Sequence, residues 1–185
     1  MKKFFPNNKN RRTVIVISAL VLLISAFFIW LHISNSLNKK RLIDRTSDFG
    51  LRIDKISINV PVVANVDPLD ESSYQKALYG GVAQAKDSSV PGRGGNIFIF
   101  GHSGSVDAKH PYGQILSKLN ELKIGDQVIV YYQKKEYKYS VTKSTLYAPE
   151  DLSALQPTTK ERLTIMTCWP PGTLDKRMII FAEPQ

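Results

Sequence analysis

Apolar positions along the chain follow two patterns. From Thr13 to Ile33 there are 21 residues without a formal charge, including Val14-Ile15-Val16-Ile17 and Leu20-Val21-Leu22-Leu23-Ile24. At about 1.5 Å per helical residue, such a run crosses a hydrocarbon core of roughly 30 Å. Beyond residue 50 the apolar runs are short, rich in β-branched residues and broken by Gly and Pro. Leu51 to Ile58 alternates apolar and polar as a half-buried strand does, and Asn59-Val60-Pro61-Val62-Val63 continues as a Pro-marked edge piece. Asp70 or Ser72 is placed to cap a short helix through Tyr74, Ala77 and Leu78, closed by Gly80-Gly81. A Gly/Pro/Ser-rich loop then runs to Gly95.

Asn96-Ile97-Phe98-Ile99-Phe100 reads as a compact strand, and Ile115, Leu116 and Leu119 as a short helix. Gln127 to Leu146 reads as a hairpin turning at Lys134-Lys135. Ala148 to Thr159 is a long loop with one helical turn, and Arg162–Thr167 and Arg177–Ala182 supply the last strands. Seven or eight short strands with little helix predict an all-β domain closed into a barrel.

Charge sharpens this division. The formal net charge is +9, but residues 1–45 hold nine Lys/Arg against one acid, Asp44, while residues 46–185 hold sixteen against fifteen. The folded part is nearly neutral, without the clustered positive charge that phosphate binding needs, so nucleic acid is not an expected partner. The basic residues flank the apolar run: Lys2, Lys3, Lys9, Arg11 and Arg12 precede it, and Lys39, Lys40, Arg41 and Arg45 follow. The expected organisation is a cytoplasmic basic tail at 1–12, a single-pass transmembrane anchor at 13–33, a polar stalk at 34–50 and an extracellular domain at 51–185. With both flanks basic, the positive-inside rule gives only a slight preference for this orientation. A cleaved signal peptide is the alternative, against which stand the length of the run and the lack of a clear small-x-small site after it. Either way the domain is exported.

Export bears on the single cysteine, Cys168. It cannot form an intramolecular disulfide, which leaves a buried small hydrophobe, intermolecular pairing or a reactive thiol. One Cys and three His do not make a zinc cluster, and no metal is expected. Thr164-Ile165-Met166-Thr167-Cys168 delivers the thiol to a strand end, where Pro170-Pro171-Gly172 forces a turn before Arg177 opens the next strand. Gly101-His102-Ser103-Gly104 likewise ends the strand 96–100. A thiolate nucleophile, a histidine to exchange its proton and a guanidinium aimed at a developing oxyanion form a set suited to acyl transfer. His110, before Pro111, reads as a surface residue. Asp107 is near His102 in sequence as an orienting group, on closeness alone.

These elements together resemble the sortase family. A Thr-Leu-x-Thr-Cys stretch, here with Ile165 in place of Leu, is followed nine residues later by Arg177 and preceded by a Gly-His at a strand end. The Cys-Trp-Pro-Pro-Gly-Thr extension and Lys123-Ile124-Gly125-Asp126-Gln127 are similar to some membrane-anchored class D or E-like members. The resemblance covers residues 51–185 and implies an eight-stranded barrel and a cysteine transpeptidase. By this resemblance Cys168 attacks a C-terminal sorting motif of a secreted or surface protein, and an amine of a cell-wall precursor or a pilin lysine releases the thioacyl enzyme. His102 is then the general acid/base, Arg177 the oxyanion and substrate clamp, and Thr167 a further oxyanion contact. The loop between Tyr147 and Arg162 corresponds to the one that grips the motif, with Leu152, Ala154 and Leu155 as pocket residues. No cofactor is implied, and no carboxylate loop supports the calcium site that some members carry.

Other patterns carry less. Gly101-His102-Ser103-Gly104-Ser105 falls short of the hydrolase elbow at its fifth position, and Gly92-Arg93-Gly94-Gly95 precedes a strand and lacks the Lys-Ser/Thr of a phosphate loop. Two other functions stay open at this level: a non-catalytic anchored β-module with Cys168 as packing, and a hydrolase that gives the same acyl-enzyme to water.

Overall fold

The computed structural model describes residues 17–30, 48–104, 107 and 109–185. The chain divides into two units, Met1–Leu42 and Ile43–Gln185. In the first, residues 17–30 form helix α1, with all its side chains exposed. No helix among the described residues is long and apolar enough to cross a membrane. The ends of the expected anchor (13–16 and 31–33), the basic tail and residues 34–47 of the stalk lie outside the described residues.

The second unit is a closed barrel of eight strands. They are β1 (Phe49–Ile53), β2 (Ile58–Val66), β3 (Val82–Ala85), β4 (Asn96–Phe100), β5 (Gln127–Tyr132), β6 (Lys135–Tyr147), β7 (Arg162–Trp169) and β8 (Lys176–Pro184). Around the barrel the order is β1-β2-β3-β4-β7-β8-β6-β5, and β1 closes it by pairing with β5. Two neighbouring pairs are parallel, β2 with β3 and β4 with β7; the remaining pairs are antiparallel. Parallel neighbours need a crossover. Helix α2 (Glu71–Leu78) provides the first, its N-terminus capped by the Asp70 carboxylate, which accepts from the amides of Ser72 and Ser73. The chain from Gly101 to Glu161, hairpin β5–β6 included, provides the second.

The barrel interior is filled by inward residues of every second position, among them Leu51, Ile53, Val60, Ile97, Ile99, Val130, Tyr139, Leu163, Ile165 and Ile180. A second cluster lies outside the wall, where Ala83, Phe98, Phe100, Ile179 and Phe181 meet Leu78 of α2 and Ala154 of the β6–β7 loop. Strand β4 is therefore buried on both faces, which accounts for its unbroken apolar sequence.

Several local expectations are corrected. The alternating run 51–58 is not one strand: β1 stops at Ile53, a 3₁₀ turn spans Asp54–Ile56, and Ser57 takes the left-handed conformation (φ 57°) before β2 begins. Its alternation survives because a tight corner returns the chain to the same barrel. Pro61 lies inside β2, opposite Gly50. Strand β3 emerges from the Gly/Pro/Ser-rich stretch, since its four residues are held by β2 and β4 on either side. The β5–β6 turn is Gln133-Lys134, both left-handed (φ 49° and 62°), one residue ahead of the expected place. In place of the short helix expected through Ile115, Leu116 and Leu119 there are consecutive turns ending in a 3₁₀ turn, Leu119–Glu121, with Leu116 and Leu119 buried.

Candidate active site

Because β4 and β7 are parallel neighbours, their C-terminal ends reach the same rim. Phe100 pairs with Met166, so His102 and Cys168 each stand two residues beyond a matched pair. Cys168 in turn pairs with Arg177 across the antiparallel β7–β8 ladder. His102, distant in sequence, is thus brought with Cys168 and Arg177 to one cavity of about 230 Å³, lined by Tyr74, Gln75, Leu78, Phe100, Gly101, His102, Met166, Thr167, Cys168, Leu174 and Arg177. Cys168 is half-buried there as a free thiol, between the accessibility of a surface group and the seclusion of a core residue.

The rim is held by short polar ties. Thr167, 2 % exposed, donates its hydroxyl to the Gly101 carbonyl at 2.8 Å, and the Gly101 amide reaches the Met166 carbonyl at 3.2 Å. Ser103, equally buried, donates to the Cys168 carbonyl at 2.7 Å. One residue on, Gly104 meets the β7–β8 turn: a Cβ there would lie 2.5 Å from the Gly172 nitrogen. Only glycine permits that approach, and with it the two loops that carry His102 and Cys168 are pressed together.

Electrostatics at the rim follow from burial. Burial lowers the His102 pKa from its ordinary value, and the neighbouring His110 lowers it further, so the neutral ring is favoured. The His102 Nε2 is buried with no hydrogen-bond partner among the described residues. Tyr74 is shifted up, first by burial, then by the Glu71 carboxylate and the Cys168 thiol. Arg177 donates from Nη1 to the carbonyls of Leu174 and Lys176, each at 3.1 Å, which ties the guanidinium to its own loop. Its other nitrogens make no hydrogen bond to the described residues.

The other sequence-derived candidates fare differently. Thr167 lines the cavity, but its one hydroxyl proton goes to Gly101, so its side chain acts here as a tie between β4 and β7. Leu152, Ala154 and Leu155 are not brought to the cavity. Ala154 and Leu155 pack into the outer cluster and Leu152 is largely exposed, because the 3₁₀ turn Ser153–Leu155 folds back onto the barrel wall. The Asp107 carboxylate accepts from the Tyr79 hydroxyl at 2.5 Å and from the Lys109 amide at 2.9 Å. His110, expected at the surface, is only partly exposed: its Nε2 is buried, and its ring lies 5.0 Å from that of His102. Ser103 and Tyr74 were missed. Ser103 was visible only as part of a failed hydrolase elbow, and Tyr74 only as helix spacing. Among the described residues no group of three or more His, Cys, Asp or Glu could hold a metal ion.

Comparison with known proteins bears on the family and the fold. The model of the sortase domain matches residues 51–185. Sortase A of Bacillus anthracis is 30% identical over 148 residues, 80% of this chain and 62% of that protein. Sortase D of Bacillus subtilis is 30% identical over 137 residues, 72% of this chain and 61% of its own length. The chain thus spans a little over three fifths of these relatives. The crystal structure of sortase C-1 from Actinomyces oris superimposes with a TM-score of 0.63 at 25% identity, covering 74% of this chain and 73% of that one. A closed eight-stranded barrel, a domain match over its whole length and two relatives at this identity lead to one conclusion: the chain belongs to the sortase family.

Proposed function

We propose that the protein is a cysteine transpeptidase that cuts a short sorting motif in exported proteins and joins the new acyl end to an amine. The observation that carries this reading is the meeting of Cys168, His102 and Arg177 on one cavity at the shared rim of β4, β7 and β8. Neutral His102 takes the proton of the Cys168 thiol, and the thiolate adds to the scissile carbonyl while the Arg177 guanidinium stabilises the oxyanion. Collapse breaks the C–N bond, and protonated His102 gives its proton to the departing amine, leaving a thioester on Cys168. The acceptor amine then adds to the thioester and loses a proton to His102, and the thiolate leaves. His102 is suited to this exchange because burial makes its imidazolium ready to surrender a proton. Leu78, Phe100, Met166 and Leu174 make most of the cavity wall apolar, which favours a motif with an apolar side chain beside the cut.

The acceptor, on this reading, is a cell-wall precursor amine or a pilin lysine. Membrane attachment through residues 13–33, N-terminus inside, fits the exposed apolar side chains of α1: a helix apolar all round needs lipid or protein to cover it. The full chain in mild detergent, incubated with a fluorogenic pentapeptide library and triglycine, tests the proposal by mass spectrometry of the products. An amide product lost in Cys168→Ala is expected. Cleavage without amine capture would favour a hydrolase. No turnover, with a thiol that resists alkylation in the folded state, would leave a non-catalytic β-module.

A further inference from the structure

His110 stands closer to the chemistry than its place in a loop before Pro111 implies. Its Nδ1 accepts the Tyr112 amide at 3.2 Å, which puts the proton of the neutral ring on Nε2. That Nε2 is buried with no hydrogen-bond partner among the described residues, a costly state for a donor and one that calls for an explanation. The ring is met by Tyr79, centroids 4.1 Å apart and planes at 35°. It also meets His102 edge to face, centroids 5.0 Å apart at 87°. The outer partner is itself fixed, since the Tyr79 hydroxyl donates to Asp107 at 2.5 Å. The His110 amide donates to the Asp107 carbonyl at 3.0 Å, so one residue holds both the backbone of His110 and the ring packed against it. The His102 backbone is held separately, its carbonyl accepting the Leu116 amide at 2.9 Å. The backbone of the acid/base residue is therefore set by Leu116, and its ring is walled by His110.

We infer that His110 is a positioning residue, whose clamped ring restricts the imidazole of His102 to one orientation beside Cys168. The inference rests on the reading of His102 as the acid/base. It explains the tolerance of an unpartnered Nε2: the ring is kept for its edge-to-face packing rather than for a bond. The aromatic contact itself stabilises the pair, as such contacts do. It also predicts a change at His102 that simple loss of stability would not produce. Removing His110 opens the site and takes away a neighbour that disfavours the charged ring, so His102 should titrate at higher pH in His110→Ala. The ionisable groups facing His102 from the other elements, Tyr74 on α2, Cys168 on β7 and Arg177 on β8, are unchanged in that variant, as are Tyr79 and Asp107 behind His110.

The test uses the full chain, with ¹⁵N imidazole NMR of His102 (assigned by His102→Gln) beside steady-state kinetics of transpeptidation. His110→Ala is expected to raise the titration point of His102 and lower kcat about tenfold, with KM unchanged, as loss of acid/base alignment does. His110→Phe keeps the ring edge and is expected to recover most of kcat. A His102 titration and kcat equal to wild type in His110→Ala would overturn the inference, and so would a His110→Phe as impaired as His110→Ala. Should His110→Ala fail to fold, His110→Leu, which fills the volume without a ring, is read in its place. If the wild-type chain makes no Cys168-dependent product, the proposed function has failed. The NMR titration still decides whether His110 sets the state of His102.

Discussion

The two ends of the β4–β7 pair are built from similar polar materials to opposite effect. At the N-terminal end Asn96 and Thr164 are buried, at 3 % and 0 % exposure, and their side chains are fully engaged. Asn96 donates to the carbonyls of Ala154 and Gln156 at 2.8 and 3.1 Å, and accepts from Thr164 at 2.7 Å. Arg162 donates to Asn96 Oδ1, to Thr164 and to the Ala154 carbonyl, with its guanidinium 4.7 Å from the centre of the Phe181 ring. Nearby, Glu161 takes the Tyr139 hydroxyl at 2.7 Å and the amides of Gly92 and Gly94 at 3.0 and 3.1 Å. At the C-terminal end, beyond the five-residue ladder of β4 with β7, the Nε2 atoms of His102 and His110 are buried with no partner among the described residues. Buried polar groups are normally paired, and exceptions call for a reason. One rim closes the fold, and the other carries the cavity, with the two Nε2 atoms unengaged.

This contrast can be broken at either rim. The largest effect is expected at the one with the cavity: His102→Gln should lower kcat by roughly 10²- to 10⁴-fold while the thermal midpoint stays near that of wild type, as kinetics and a melting curve together would show. An equal fall in stability would mean that His102 is a structural residue. At the closed rim the signs reverse. Thr164→Val keeps the shape but removes the hydroxyl bonded to Asn96 and Arg162, and should cost about 1–3 kcal/mol in urea unfolding with kcat unchanged. Tyr139→Phe withdraws one of three donors from Glu161 and should cost less, about 1 kcal/mol, by the same measurement.

The smallest effect is on pH dependence. His102 is depressed below its ordinary value of 6.5, so between the two values the unfolded chain binds more protons than the folded one. Stability from this group is therefore complete above pH 6.5 and declines as the pH falls through the folded-state value. Urea titrations from pH 7.5 to 5 should show that decline in wild type and a flatter profile in His102→Gln. Asp107, Asp126 and Asp151 are depressed from 3.8, so their contributions are lost in more acidic solution and do not mask it.

Much of this was legible because it depends on neighbours in sequence. Short apolar runs located β4, β7 and β8, the Asp70 cap marked the start of α2, and the single Cys, the Gly-His and Arg177 stood at strand ends. The misses share a cause. Four residues, Val82–Ala85, carry too little pattern to announce a strand, and they become β3 only because β2 and β4 flank them. The alternation of Leu51 to Ile58 says which side chains face inward, but not that the chain turns a corner at Ser57. Leu152, Ala154 and Leu155 are apolar enough for a pocket, and their place was decided by the outer face of the barrel that needed covering.

The sequence by itself determined the separation of an apolar N-terminal segment from a nearly neutral β domain, and the residue types able to carry acyl transfer, since composition and short-range periodicity are local properties. The tertiary structure decided which of those residues meet. The parallel pairing of β4 with β7 is what carries His102 to the rim of Cys168, across 66 residues of chain that no local rule spans. The same closure turned His110 from a loop residue into the wall of His102, because edge-to-face contact is a property of folded distance, not of spacing along the chain.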